Sequence, residues 1–146
     1  MSISTIKQAI KTHLDQLVTD GVIAGSASMD IKKSPLSADI PVFPYAYLMP
    51  PSVASESLDN RSNLRTYTFS ILFIQNAENI TTTDEIETMI EDVMDEFDND
   101  PTLGGTARGG ILPVSSAPVP LQHNGKDMIT FVVALEAKAD VDLTFS

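Results

Sequence analysis

Residues 82–105, TTDEIETMIEDVMDEFDNDPTLGG, constrain the fold more than any other stretch. Ile86, Met89, Ile90, Val93, Met94 and Phe97 recur at i, i+3, i+4, i+7, i+8 and i+11, one apolar stripe of helical period. Most of the positions between them are Asp or Glu. Thr82 and Glu85 have the spacing of a capping box, which predicts the helix start, and Pro101 with Gly104–Gly105 predicts its end. An acidic amphipathic helix is therefore expected late in the chain. It presents no Cys, no His and no nucleophile, so it points to packing and assembly rather than to catalysis.

The flanking sequence is mostly strand-like. Ile3, Ile6, Ile10, Leu14 and Leu17 predict a first amphipathic helix, with Gly21 just past its end. Val22–Asp30 alternates loosely and reads as a short strand. Lys33–Pro41 reads as a loop. Val42–Met49 is apolar and aromatic, and Pro44 suits the start of a strand or an edge strand. Pro50–Asn63 is polar and turn-rich and reads as a long mobile loop. Arg65–Gln75 alternates, with Tyr67, Phe69, Ile71 and Phe73 on one face. Its other face passes from polar to apolar along the strand. Thr106–Val119, interrupted by Gly109–Gly110, Pro113 and Pro118, predicts an irregular strand with a bulge or bend. Asn124–Gly125 predicts a hairpin turn, since both positions accept positive φ, and Met128–Val141 alternates again. The order predicts one α+β domain over residues 1–146, a mostly antiparallel sheet with two amphipathic helices packed on one face.

Charge and composition exclude several functions. The chain has 146 residues and a net charge of −11, from 20 acidic against 9 basic residues. Such a surface repels phosphate backbones, so binding to nucleic acid by phosphate neutralisation is not expected. There is no Cys, which removes disulfides and thiolate metal sites. The N-terminus has no continuous apolar segment of the signal-peptide type, and no run approaches the ~20 residues that span a bilayer. A soluble protein, made in the cytoplasm, is expected.

No catalytic constellation emerges. His13, beside the first apolar stripe, and His123, beside the hairpin turn, read as solvated or partly packed imidazoles. No Ser lies in Gly-x-Ser-x-Gly. A calcium loop counted from Asp98 finds Asp100 and Thr102 at positions 3 and 5. It then has Leu103 where Gly is required and Gly109 where Glu is required, so the loop fails. The glycines around Arg108 follow a helix and lead into a strand, opposite to a phosphate loop. Neither an enzyme, a cofactor nor a metal is expected. Asp98 and Asp100 oppose the helix dipole, which predicts pairing with a basic residue in the chain or across an interface. Arg61 and Arg108, lone cations in polar or glycine-rich segments, are the expected partners across a subunit seam.

The whole order resembles the tail terminator, or tail-completion, proteins of long-tailed bacteriophages. The carrying features are the helix Ile3–Leu17, the Phe-Pro that opens Phe43–Leu48, the alternating strand Thr66–Phe73, the helix Asp84–Phe97 with its Asp/Pro/Leu turn, and the closing strand Met128–Thr144. The resemblance implies a homohexameric ring that caps the head-proximal end of the tail tube, stops its polymerisation and docks the head connector or stopper protein. It implies a place in the virion, with DNA passing through the lumen without specific binding. Six copies at −11 each carry −66, which suits a lumen to which DNA does not stick. Other phage neck or head–tail joining proteins have the same element order, and a small ligand-binding α+β domain is the remaining alternative.

Overall fold

The computed structural model describes residues 3–29, 40–57, 62–105, 111–123 and 125–142. Helix α1 spans Ile3–Thr19 and buries Ile6, Ile10, Leu14 and Leu17. Ile3, expected on the same stripe, is exposed at the helix start. The helix closes in a Schellman motif. The Gly21 N–H donates to the Val18 carbonyl and the Val22 N–H to the Leu17 carbonyl, 3.1 and 2.9 Å. Gly21 takes φ 79°, which only glycine adopts without strain.

Among the described residues seven strands follow in one sheet: β1 Gly25–Ser28, β2 Tyr45–Leu48, β3 Ser52–Ser57, β4 Ser62–Asn76, β5 Ile111–Ser115, β6 Val119–His123 and β7 Lys126–Asp142. A 3-10 turn, Ala77–Asn79, and helix α2, Thr83–Asp98, separate β4 from β5. The spatial order is β1-β2-β4-β7-β5, with β3 also on β4 and β6 also on β7. Every pairing is antiparallel except the parallel β1–β2. The α+β class and the mostly antiparallel sheet expected from the sequence are the observed ones.

The long strands β4 and β7 pair in unbroken register from Ser62↔Asp142 to Asn76↔Met128. On one edge of this pair β2 and β3 lie end to end along β4, and on the other β5 and β6 lie end to end along β7. The helix-side face carries Tyr67, Phe69, Ile71 and Phe73 of β4 and Phe131, Val133, Leu135 and Ala137 of β7, all buried in one core with the stripes of α1 and α2. Phe73 and Phe131, directly opposite in register, stack at 4.8 Å. The other face of β4 passes from half-buried Thr66, Thr68 and Ser70 to buried Ile74, as its composition predicts.

Three expectations are corrected. Residues 52–57 are a strand, not part of a mobile loop; all six are exposed, so no apolar alternation betrayed a strand held by backbone pairing to Asn63–Thr68. In α2 the capping box is displaced. Thr82 is the N-cap residue but its side chain makes no cap bond, and the Glu85 carboxylate accepts from the Thr81 N–H at 2.7 Å. The stripe is also narrower than its periodicity suggests: Ile86, Met89, Val93 and Phe97 are buried, while Ile90 and Met94 are half-buried at its border. The bend expected in residues 106–119 falls at 116–118. No helix is long and apolar enough to cross a membrane among the described residues.

Ile86 and Ile90 are the same side chain at two depths of one helix. Ile86→Ala should cost about 2–5 kcal/mol, Ile90→Ala less than that range, and Glu91→Ala no more than about 0.5 kcal/mol. Urea denaturation of the three variants checks this; equal losses at Ile86 and Ile90 would contradict the depth assignment.

Candidate interaction surfaces

The turn after α2 is tied to α1 by one side chain. His13 Nδ1 lies 3.1 Å from Glu96 Oε2, and its Nε2 lies 2.8 Å from Asp100 Oδ2. The ring sits against Phe97, centroids 5.4 Å apart. Both ring nitrogens thus face carboxylate oxygens, one on α2 and one in the turn that follows it. Asp100 Oδ1 also accepts the Gly104 N–H at 2.9 Å. That backbone hydrogen bond, and then the one with His13, hold the Asp100 carboxyl below the usual carboxylate range. Asp100 thus has a side-chain partner within the chain. It is His13, which from its sequence neighbourhood reads only as a packed or solvated imidazole. Nothing in the sequence between His13 and Asp100, 87 positions apart, signals the contact, because it depends on how α1 crosses α2.

The remaining seam residues separate. Asp98 is exposed on the last turn of α2. Arg61 and Arg108 lie outside the described residues. The structure therefore brings Asp100 to His13 and leaves the proposed Arg contacts to be tested.

The sheet supplies surfaces that single-residue reasoning missed. Along the β5–β6 edge, on the face away from the helices, Leu112, Val114 and Val119 are 69%, 63% and 55% exposed. Their register partners Glu136, Ala134 and Thr130 place all three on that face. The signal in the sequence is Ile111–Ser115 itself, where Ile111 is buried and the even positions point outward. Tyr45 and Tyr47 stand on the same face of β2, rings 5.0 Å apart. Burial, and then Tyr45, raise the Tyr47 phenol above its ordinary value.

At the opposite edge the sheet runs past its core. Among the described residues the core ends at Tyr67 on β4 and Ala137 on β7. Five further register pairs, from Thr66↔Lys138 to Ser62↔Asp142, continue as an arm with β3 alongside. At about 3.4 Å per residue this arm reaches roughly 17 Å beyond the core.

Two depressions lie among the described residues. A groove of about 180 Å³ between the start of α2 and the β5–β6 bend is lined by Ile80, Thr83, Ile86, Pro118, Pro120 and Ile129. It offers no titratable group and is small for a ligand site. A cleft of about 360 Å³ between α1 and α2 carries Asp20, Asp92, Asp95 and Glu96. Among the described residues no three His, Cys, Asp or Glu are grouped to hold a metal ion.

Neither a protein-family model nor a curated protein matches the sequence. Among solved structures, the chain is similar to one from the virion of a native gene transfer agent particle. The TM-score is 0.53 at 16% identity, with 93% of this chain and 92% of that chain covered. The two share a fold. The likeness extends over nearly the full length of both chains, so it includes the helical layer and the sheet together.

Asp100 enters the folded state with a lowered pKa, so its contribution is present above the ordinary carboxylate range and is lost as pH falls through the lowered value. Asp100→Asn should therefore destabilise the protein at neutral pH, and this deficit should shrink as pH falls from about 4 through the lowered value. Thermal denaturation of both proteins across that range checks it; a deficit independent of pH would remove the carboxylate from the tie.

Proposed function

We propose that this chain is a structural protein of a phage-like virion that caps the head-proximal end of the tail tube as a homo-oligomeric ring, ending tube polymerisation and joining the tail to the head connector. The observation that carries the reading is the fold shared, end to end, with a virion chain of a gene transfer agent particle. The resemblance of the element order to tail terminator proteins gives the station in the virion and the expected sixfold ring.

The surface chemistry supports a scaffold rather than an enzyme. No described pocket brings a nucleophile to a base. The surface offers instead exposed aliphatics on an edge and an arm beyond the core. A closed ring needs unlike patches on one subunit, joined head to tail. Exposed Asp98 is proposed to meet Arg61 or Arg108 of the next copy at the rim of this seam, where charge sets register more than affinity. Asp100, engaged by His13, serves the subunit itself. A net charge of −11 per copy would give a lumen through which DNA slides without adhering.

A second reading, another neck or head–tail joining protein, is favoured by the same fold match, which points to a virion and not to one station in it. The two differ in what is capped.

Native mass spectrometry of the purified chain should give a closed oligomer. Added to polymerising tail-tube protein, the chain should bind tube ends and stop their growth, as read by electron microscopy. The free chain should pass duplex DNA without retention at physiological salt. Tubes that elongate unhindered while the chain binds a head connector would select the second reading.

A further inference from the structure

The outer flanks of the two helices carry opposite charge. Helix α1 lies over β1 and α2 over β5, the two ends of the strand order. The flank of each helix that turns from the other therefore faces outward over an opposite edge of the sheet. His13 and Glu96, which touch, mark the two inward sides. At about 100° per residue, Lys7 and Lys11 stand about 120° and 160° round α1 from His13, and Ile90 and Met94 stand about 120° and 160° round α2 from Glu96.

On α1, Lys7 and Lys11 are one turn apart and half-buried. Ile3 and Val18, 41% and 36% exposed, extend the same flank on either side of them. The acid beside them is Asp15, exposed one turn beyond Lys11. Among the described residues neither lysine has an ion pair; those present join His13 to Glu96 and Asp100, and Lys138 to Glu136. On α2, half-buried Ile90 and Met94 border exposed Glu87, Glu91 and Asp98. Glu87 and Glu91 are again one turn apart. The helix has eight Asp or Glu and no Lys or Arg. Residues 111–123, which form the neighbouring edge, contain no Lys or Arg to offset them.

These charges decide how two copies can meet. An α2 flank set against another α2 flank opposes carboxylates, and an α1 flank set against another opposes lysines, so a two-fold contact through either is disfavoured. Within one copy the flanks point apart. The complementary pairing sets α1 of one copy against α2 of another.

We propose that the outer flank of α1 docks on the outer flank of α2 of a second copy of this chain, with Lys7 and Lys11 on Glu87 and Glu91 and with Ile3 and Val18 about Ile90 and Met94. Both charged pairs have the spacing of one helical turn, about 6 Å, so they meet in register. The charges set that register, and the aliphatic side chains supply the burial. Because the patches are unlike and sit on opposite edges, the contact is head-to-tail and repeats from subunit to subunit. Asp98 stands on the same flank, at the rim where its contact with an arginine of the next copy is proposed above. The inference rests on the ring reading and names the surfaces that join the ring.

The test compares Lys7→Glu/Lys11→Glu, Glu87→Lys/Glu91→Lys and the fourfold exchange that carries both, by native mass spectrometry and melting temperature. Each half-exchange sets like charges together and should need at least about tenfold more protein to assemble. The two half-exchanges shift the net charge of −11 by four units in opposite directions, so a loss in both does not come from net charge. The fourfold exchange, and an equal mixture of the two half-exchanges, should assemble as the wild type does. If the α1 exchange lowers the melting temperature, the α2 exchange, at fully exposed positions, decides alone. Half-exchanges that assemble like wild type, or a folded fourfold exchange no better than they are, overturn the helix contact and leave the ring. Rescue by mixing, in open chains that never close, keeps the contact and overturns the ring. A wild-type chain monomeric at every concentration overturns both.

Discussion

The fold depends on the pairing of β4 with β7. Fifteen residues of one strand face fifteen of the other without interruption, and the Phe73–Phe131 stack lies within that register. A slip of one residue would turn Tyr67, Phe69, Ile71 and Phe73 away from the helices and expose four large side chains. At about 1.5–3 kcal/mol for each fully buried apolar side chain, such a slip forfeits an amount comparable to the whole stability of a domain. The short strands, by contrast, have no register of their own. They take it from whichever long strand they meet.

This division explains what could be read from the sequence. The two helices and the two long strands carry their own periodicity, and their type, order and buried faces were legible from Ile6, Ile10 and Leu14, from Ile86, Val93 and Phe97, and from the alternation in β4 and β7. β3 was not legible, because Ser52–Ser57 buries nothing and its order comes from backbone bonds to a neighbour. The depth of Ile90 was not legible either. Periodicity locates a face, but the curvature of the sheet beneath decides how wide a stripe it covers. The interaction surfaces were harder still. His13 and Asp100 belong to elements at opposite ends of the sequence, and Leu112 and Val114 become meaningful only once β5 is known to be an edge.

The helical layer concentrates charge and the β5–β6 edge excludes it. In α2 the carboxylates crowd one another, and among the described residues the α1 side chain that bridges to that region is His13. The tie secures the turn that feeds β5, since the Pro101 carbonyl in that turn accepts the Ile111 N–H. The placement of the aliphatic row thus leans on a contact between α1 and the end of α2.

The bend between β5 and β6 holds a further consequence. Ser115 pairs with Val133 and Val119 with Thr130, so three residues on one strand span the two on the other. The ladder is kept by Ser116, whose N–H donates to the Val132 carbonyl at 2.8 Å while its Oγ accepts the Val132 N–H at 2.9 Å. The extra residue is a bulge, and it acts as a parity change along the strand. Before it, even-numbered side chains look outward; after it, odd-numbered ones do. Val119 reaches the same face as Val114 for this reason alone, and Pro120, exposed, lines the groove that Ile86 also lines. An evolutionary deletion of one residue there would leave the composition of the edge almost intact and exchange its inside for its outside.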